Sequence, residues 1–214
     1  MSHLNVSEHV AGRFTPRYFD WLTWAAGVSD AHWQLVAQAA IGADATVLEI
    51  GVGTGNVLLK VKRAAPHSTT IGLDSDLASL AFAARKATRA DVDIQLDHGD
   101  AGHLPYPDAT FDRVLSSFVI HHICDELKPV AMSEVRRVLK PGGSCHFLDF
   151  VAITNNEPNR FRAAFGGRHN HGPNHVPRYS DPMALMDQAG LIQTVQIGQG
   201  TSLLGRHAFY RATR

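Results

Sequence analysis

The feature that most limits what this chain can become is an alternation of two kinds of segment. Short apolar runs of strand length take turns with longer segments of helical period. The first run, Thr46-Val47-Leu48-Glu49-Ile50, is followed by glycines and then by a helix over Asn56–Ala65 that Pro66 ends. Thr69–Leu73 leads into a helix over Leu77–Ala90, which Asp76 is placed to cap. Val92–Leu96, Phe111–Phe118 and Ser144–Val151 read as the third, fourth and fifth strands. A helix over Glu126–Leu139, ended by Lys140-Pro141-Gly142-Gly143, separates the last two. Such alternation builds a parallel sheet covered by helices on both faces.

The two ends complete this arrangement. Pro16–Ile41 spaces Tyr18, Phe19, Trp21, Leu22, Trp24, Trp33, Leu35 and Val36 as two helices broken near Gly27, with Ser29 or Asp30 capping the second. Ser180 opens a late helix with Pro182 in its first turn and Gly190 past its end. Leu191–Ile197 and His207–Ala212 are strands joined through Gly198-Gln199-Gly200. That connection is too short for a crossover helix, so the closing pair is antiparallel. The expected fold is α/β: a seven-stranded, mostly parallel sheet, its last strand antiparallel, helices on both faces, and a helical N-terminal cover. One domain spans 1–214, with the cover in 1–44, the core in 45–151, a long connection in 152–180 and the closing elements in 181–214.

Composition narrows the class. Hydrophobic residues make up 44% and charged residues 19%, enough for a buried core. Lys+Arg and Asp+Glu both number 20, which argues against nucleic-acid binding by bulk charge. Cys124 and Cys145 are too few for a disulfide framework or a four-thiolate zinc site, and they point to a reducing, cytoplasmic setting. No apolar run approaches the ~18 residues of a membrane span, and Met1–Asn5 lacks the basic start of a secretory signal. No stable membrane insertion is expected.

The chemistry concentrates where strands end. Gly51, Gly53 and Gly55 recur at every second position between the first strand and its helix. Glycines there let the backbone turn sharply and let a ligand touch it. Asn56 stands where a dinucleotide fingerprint demands glycine, and Glu49 sets a carboxylate beside the loop, which suits a cationic ligand better than a pyrophosphate. Asp74, about twenty residues beyond the loop, is placed to accept from ribose hydroxyls. Asp100 follows the third strand, where its carboxylate can accept from an exocyclic amine while the Ala101 N–H donates to a ring nitrogen, together reading adenine.

On these residues the chain resembles the class I S-adenosylmethionine-dependent methyltransferases, in the group of the ubiquinone/menaquinone-biosynthesis enzymes. The likeness rests on Glu49-x-Gly51-x-Gly53-x-Gly55, Asp74, Gly99-Asp100-Ala101 with Leu104-Pro105, Phe111-Asp112, and Leu139 to Gly143, and covers about Thr46 to Phe150. It implies a Rossmann-like core that binds S-adenosylmethionine and releases S-adenosylhomocysteine. Gly51 and Gly53 would line its methionine part with Glu49 near the amino group. Asp74 would hold the ribose, Leu73 or Ser75 would lie against adenine, Asp100 and Ala101 would read its edge, Ser117 would approach the methionine moiety, and Tyr18 would close over the cofactor.

The expected reaction is direct methyl displacement onto a small molecule, an aromatic or quinone-like metabolite first. A phospholipid headgroup or other amine is the alternative acceptor, and a catalytically silent cofactor-binding regulator the alternative role. A nicotinamide oxidoreductase is disfavoured by Asn56 and Glu49. If the acceptor must lose a proton, His121 and His122 after the fourth strand are the candidate bases, and Asp149 is a candidate lining residue. Asn155–Tyr179, where the group places a substrate lid, carries Arg160, Arg162, Arg168 and Arg178 against Glu157. Arg168 and His171 are its candidate substrate contacts. The spacing of His169, His171 and His175 is weak for a metal site, so no metal is expected.

Overall fold

The computed structural model describes residues 27–151 and 181–214. Their elements are α1 (Val28–Ala39), β1 (Thr46–Ile50), α2 (Asn56–Ala64), β2 (Thr69–Asp74), α3 (Leu77–Ala90), β3 (Gln95–His98), β4 (Phe111–Ser117), α4 (Lys128–Val138), β5 (Leu139–Phe150), α5 (Pro182–Gln188), β6 (Ile192–Ser202) and β7 (Gly205–Thr213). The strands form one seven-stranded sheet in the order β3-β2-β1-β4-β5-β7-β6. Strands β1 to β5 pair in parallel, and β7 is antiparallel to both neighbours. The sheet is the expected one, and the first of the two expected N-terminal helices lies outside the described residues. The order reverses between β1 and β4, and in open α/β sheets ligands bind at the strand ends beside such a reversal.

Successive residues of each strand feed opposite faces, because the side-chain period is two. Val47, Leu115, Leu148 and Phe209 join Leu35 and Val36 of α1, Val57, Leu58 and Val61 of α2 and Leu80 of α3. Leu48, Val114, Phe147 and Ala208 join Met132, Val135 and Val138 of α4 and Leu185 and Met186 of α5. With helices on both faces, the central strands have no wet side, which is why β1 reads as an unbroken apolar run apart from Glu49. Among the described residues no helix is long and apolar enough to cross a membrane.

Several sequence expectations shift. Gly27, at φ +78°, stands at the N-cap of α1 without a side-chain hydrogen bond, so neither Ser29 nor Asp30 caps it. Ser180 lies outside the described residues, and Asp181 caps α5 by accepting from the Met183 N–H at 2.9 Å. β3 starts at Gln95 rather than Val92, because Val92 still donates to Ala87 O as α3 unwinds through Asp91. β5 begins at Leu139, taking in the expected turn Lys140–Gly143. There Gly142 and Gly143 exchange backbone hydrogen bonds with Arg214. Gly198 and Gly200 lie inside β6, and the hairpin turns at Leu203-Leu204 instead. A side chain at Gly200 would come within 2.6 Å of His207 Nε2, so this glycine serves close packing across the pair.

Phe209 is fully buried at the heart of the α1–α3 face. Phe209→Ala is expected to cost about 3–5 kcal/mol of stability, read from the urea midpoint at unchanged slope. A loss below 1 kcal/mol would mean that this face closes around the cavity.

Candidate active site

The carboxyl ends of β1, β2 and β3 are tied into one rim by backbone donors. The Gly51 and Val52 N–H groups both donate to Leu73 O, at 2.8 and 3.0 Å. The Gly53 N–H donates to Asp74 Oδ2 at 2.7 Å, and Asp74 Oδ1 accepts from the Asp76 N–H at 2.9 Å. Asp76 caps α3 as expected, accepting from the Ala78 and Ser79 N–H groups. The Gly99 N–H donates to Asp74 O, which brings Asp100 to the same rim. Asp100 is exposed, and its Oδ1 accepts from the Gly102 N–H at 2.7 Å. Ala101 packs against the α4–α5 core, and Ser75 is exposed beside Asp74. Gly53, Asp74 and Asp100 therefore share one edge.

The loop glycines differ in what they make room for. Gly51, Gly53 and Gly55 all have positive φ, at +71°, +51° and +80°. A Cβ on Gly51 would lie 2.2 Å from Val119 Cγ2, so its bareness seats the turn after β4 against the loop. At Gly55 the close neighbour would be Ala83 of α3. A Cβ on Gly53 meets no described atom within 4 Å. Of the three loop glycines, Gly53 alone has open space over its backbone among the described residues.

Beside this loop sit polar oxygens that find no partner among the described residues. Glu49 is 2% exposed, and its Oε2 has no hydrogen-bond partner among the described residues. Burial pushes its carboxyl well above the usual range. A backbone hydrogen bond from Leu58 opposes the rise, Asp74 adds to it, and Lys60 and Lys86 oppose it. Asp74 is raised too, first by burial and against the pull of the Asp76 and Gly53 N–H groups. Ser117 Oγ is likewise buried and unpartnered at the end of β4. By strand alternation Glu49, Asp74 and Ser117 belong to the α1–α3 face. A buried acceptor lacking its donor is costly, and this set suits a ligand that brings an ammonium group and hydroxyls.

The turn after Val119 forms a single 3-10 turn over Ile120–His122. His121 Nδ1 lies 2.6 Å from Asp149 Oδ1, and the His121 backbone N–H donates to Asp149 Oδ2 at 3.1 Å. Asp149 is 2% exposed and sits behind His121. His122 is exposed, its ring 4.0 Å from that of His121. Phe118 has φ +57°, a conformation non-glycine residues seldom adopt, and stacks on Phe150 at 4.5 Å. Phe150 meets His121 edge-on. Val119, Phe118 and Phe150 were not legible as site residues, because apolar side chains after a strand announce only burial. Tyr18, Arg168, His169, His171 and His175 lie outside the described residues.

Residues 47–143 match the family described as "Methyltransferase domain". Residues 47–143 thus carry a methyltransferase domain. A demethylmenaquinone methyltransferase of Deinococcus radiodurans is 35% identical over 123 residues, 56% of this chain and 50% of the relative. The chain thus aligns with about half the length of that curated relative. Among solved structures, a SAM-dependent methyltransferase from Aquifex aeolicus superposes with a TM-score of 0.68 at 14% identity, covering 94% of this chain and 99% of that one. A Haemonchus contortus N-methyltransferase, in complex with phosphomonomethylethanolamine and S-adenosylhomocysteine, gives 0.75 at 16%, covering 94% and 57%. At these identities the structural likeness speaks for the fold of the methyltransferase domain alone.

The buried carboxyl of Glu49 makes ligand-free stability pH-dependent. Below the usual carboxylate range both folded and unfolded chains hold its proton. As pH rises past that range the unfolded chain ionises first and binds fewer protons, so stability falls. Glu49→Gln removes this penalty. The Tm of the variant is expected to gain on the wild type as pH is raised above the ordinary carboxylate value. A difference that stays constant with pH would show that Glu49 carries no such cost.

Proposed function

We propose that this chain binds S-adenosylmethionine along the ends of β1, β2 and β3 and methylates a small aromatic or quinone-like acceptor presented beside His121. The observation that carries the reading is Glu49 Oε2, a buried carboxyl oxygen next to the glycine loop that has no hydrogen-bond partner among the described residues. A ligand ammonium supplies the missing donor and offsets the cost of ionising that carboxyl. Asp74 spends one lone pair of each oxygen on a backbone N–H, which leaves capacity for two ribose hydroxyls. Ser117 Oγ contributes a further contact at the methionine end, and Asp100 with the Ala101 N–H addresses the adenine edge. The open side of Gly53 receives the ligand chain, while Gly51 and Gly55 keep the loop in shape. Tyr18 closes over the cofactor, and Arg168 and His171 contact the acceptor.

When bound, S-adenosylmethionine supplies an electrophilic methyl group on a cationic sulfur. The protein's part is alignment and exclusion of water. Phe118 and Phe150 provide an apolar wall beside the histidine pair. His121 receives the acceptor's hydroxyl proton, which makes a phenolic oxygen or its ring carbon more nucleophilic. His122, stacked on it at the surface, borders the acceptor's approach. The quinone-like class is favoured by the demethylmenaquinone methyltransferase relative.

Calorimetry with S-adenosylhomocysteine, followed by product analysis with S-adenosylmethionine and a panel of hydroquinones, phenols and phosphoethanolamine, tests this. Heat of binding and a methylated hydroquinone are expected. Methylated phosphoethanolamine alone would replace the acceptor class, binding without any product would favour a regulatory role, and no binding would end the reading. Asp74→Ala should weaken binding by about 1–3 kcal/mol, and unchanged affinity would remove Asp74 from the site.

A further inference from the structure

Three hydrogen-bond donors converge on one buried carboxylate. Asp149 Oδ2 takes the His121 backbone N–H, and Oδ1 takes the Phe150 backbone N–H at 2.7 Å. The third approach to the carboxylate is His121 Nδ1, at 2.6 Å from Oδ1. Two of these partners are backbone amides and can only donate. An ionised carboxylate can only accept, so the ring nitrogen facing it must carry a hydrogen. The neutral imidazole then holds its lone pair on Nε2.

We propose that Asp149 is a positioning residue that locks His121 in the Nδ1–H tautomer and the orientation needed for Nε2 to take a proton from the methyl acceptor. This rests on the function proposed above and gives Asp149, expected as a lining residue, a place behind His121, where its carboxylate is engaged by His121 and Phe150. In the step itself, the acceptor O–H bond breaks, its electrons stay on oxygen, and the proton passes to Nε2. The imidazolium so formed faces the Asp149 carboxylate, which stabilises it. The geometry is over-determined. Asp149 fixes the backbone of the 3-10 turn and the ring together, the Phe150 ring braces His121 edge-on at 5.2 Å, and Val119 pins the start of the turn against Gly51.

An asparagine in place of Asp149 has one acceptor oxygen for three donors. Its amide N–H must then face a donor or force the ring into the opposite tautomer. The test is long-range ¹H–¹⁵N correlation of the His121 ring nitrogens in the ¹⁵N-labelled full chain, in mildly alkaline solution, for wild type and Asp149→Asn. The wild type is expected to show a protonated Nδ1 and a bare Nε2, and the variant the reverse. Turnover of naphthohydroquinone by the variant should fall about a hundredfold, with its KM and the affinity for S-adenosylhomocysteine little changed.

A bare Nδ1 in the wild type overturns the proposal without requiring any variant to fold. An Asp149→Asn protein that keeps both the tautomer and kcat overturns it as well. Loss of S-adenosylhomocysteine binding by the wild type would instead strike the proposed function and leave the tautomer result standing.

Discussion

The hydrogen bond from the Gly53 N–H to Asp74 Oδ2 is the tie on which the site depends. It joins two segments that come from different strands and differ in what they offer, a bare backbone and a carboxylate. Together with the Gly51 and Val52 N–H groups on Leu73 O, it fixes how far the glycine loop stands from the end of β2. The tie is also costly, because Asp74 is partly desolvated and its ionised form is disfavoured by burial. Backbone amides from Gly53 and Asp76 offset part of that cost. The same economy recurs at Asp149, where three donors surround one carboxylate. Two acids thus organise the two halves of the rim, one beside the glycine loop and one behind His121.

Glu49 shows the opposite condition. It is as buried as Asp149, yet one of its oxygens finds no donor among the described residues. A native structure rarely leaves such a group unpaired for stability's sake. The strain is local, because Val47 and Leu48 beside it sit in fully apolar surroundings. The sheet tolerates this acid because β1 is central, pinned by β2 on one side and β4 on the other. Rigidity of the scaffold is therefore what lets an unfavourable residue persist at this rim.

Much of this was legible in the sequence, for identifiable reasons. The alternation of Thr46–Ile50, Thr69–Leu73 and their helices carried the fold, since short apolar runs bounded by turn residues have strand length and the segments between them have helical length and period. Asp76 was legible as a cap because capping is local chemistry. Gly198 and Gly200 were misread as a turn because glycine has two uses, and tight packing against His207 leaves no mark on neighbouring residues. The contact between His121 and Asp149 was also hidden, since it joins residues 28 positions apart across two strand ends. Pattern reading placed both residues at the right edge and could not pair them.

The fit between Gly51 and Val119 has a bearing on how this protein could change. The glycine loop and the histidine turn share one small volume, with no slack between a glycine on one side and a valine on the other. Position 51 cannot grow unless position 119 shrinks, so the two behave as a single choice of size. Variation along this edge must then come from residues farther along the turn or across the rim, beyond the reach of the interlock.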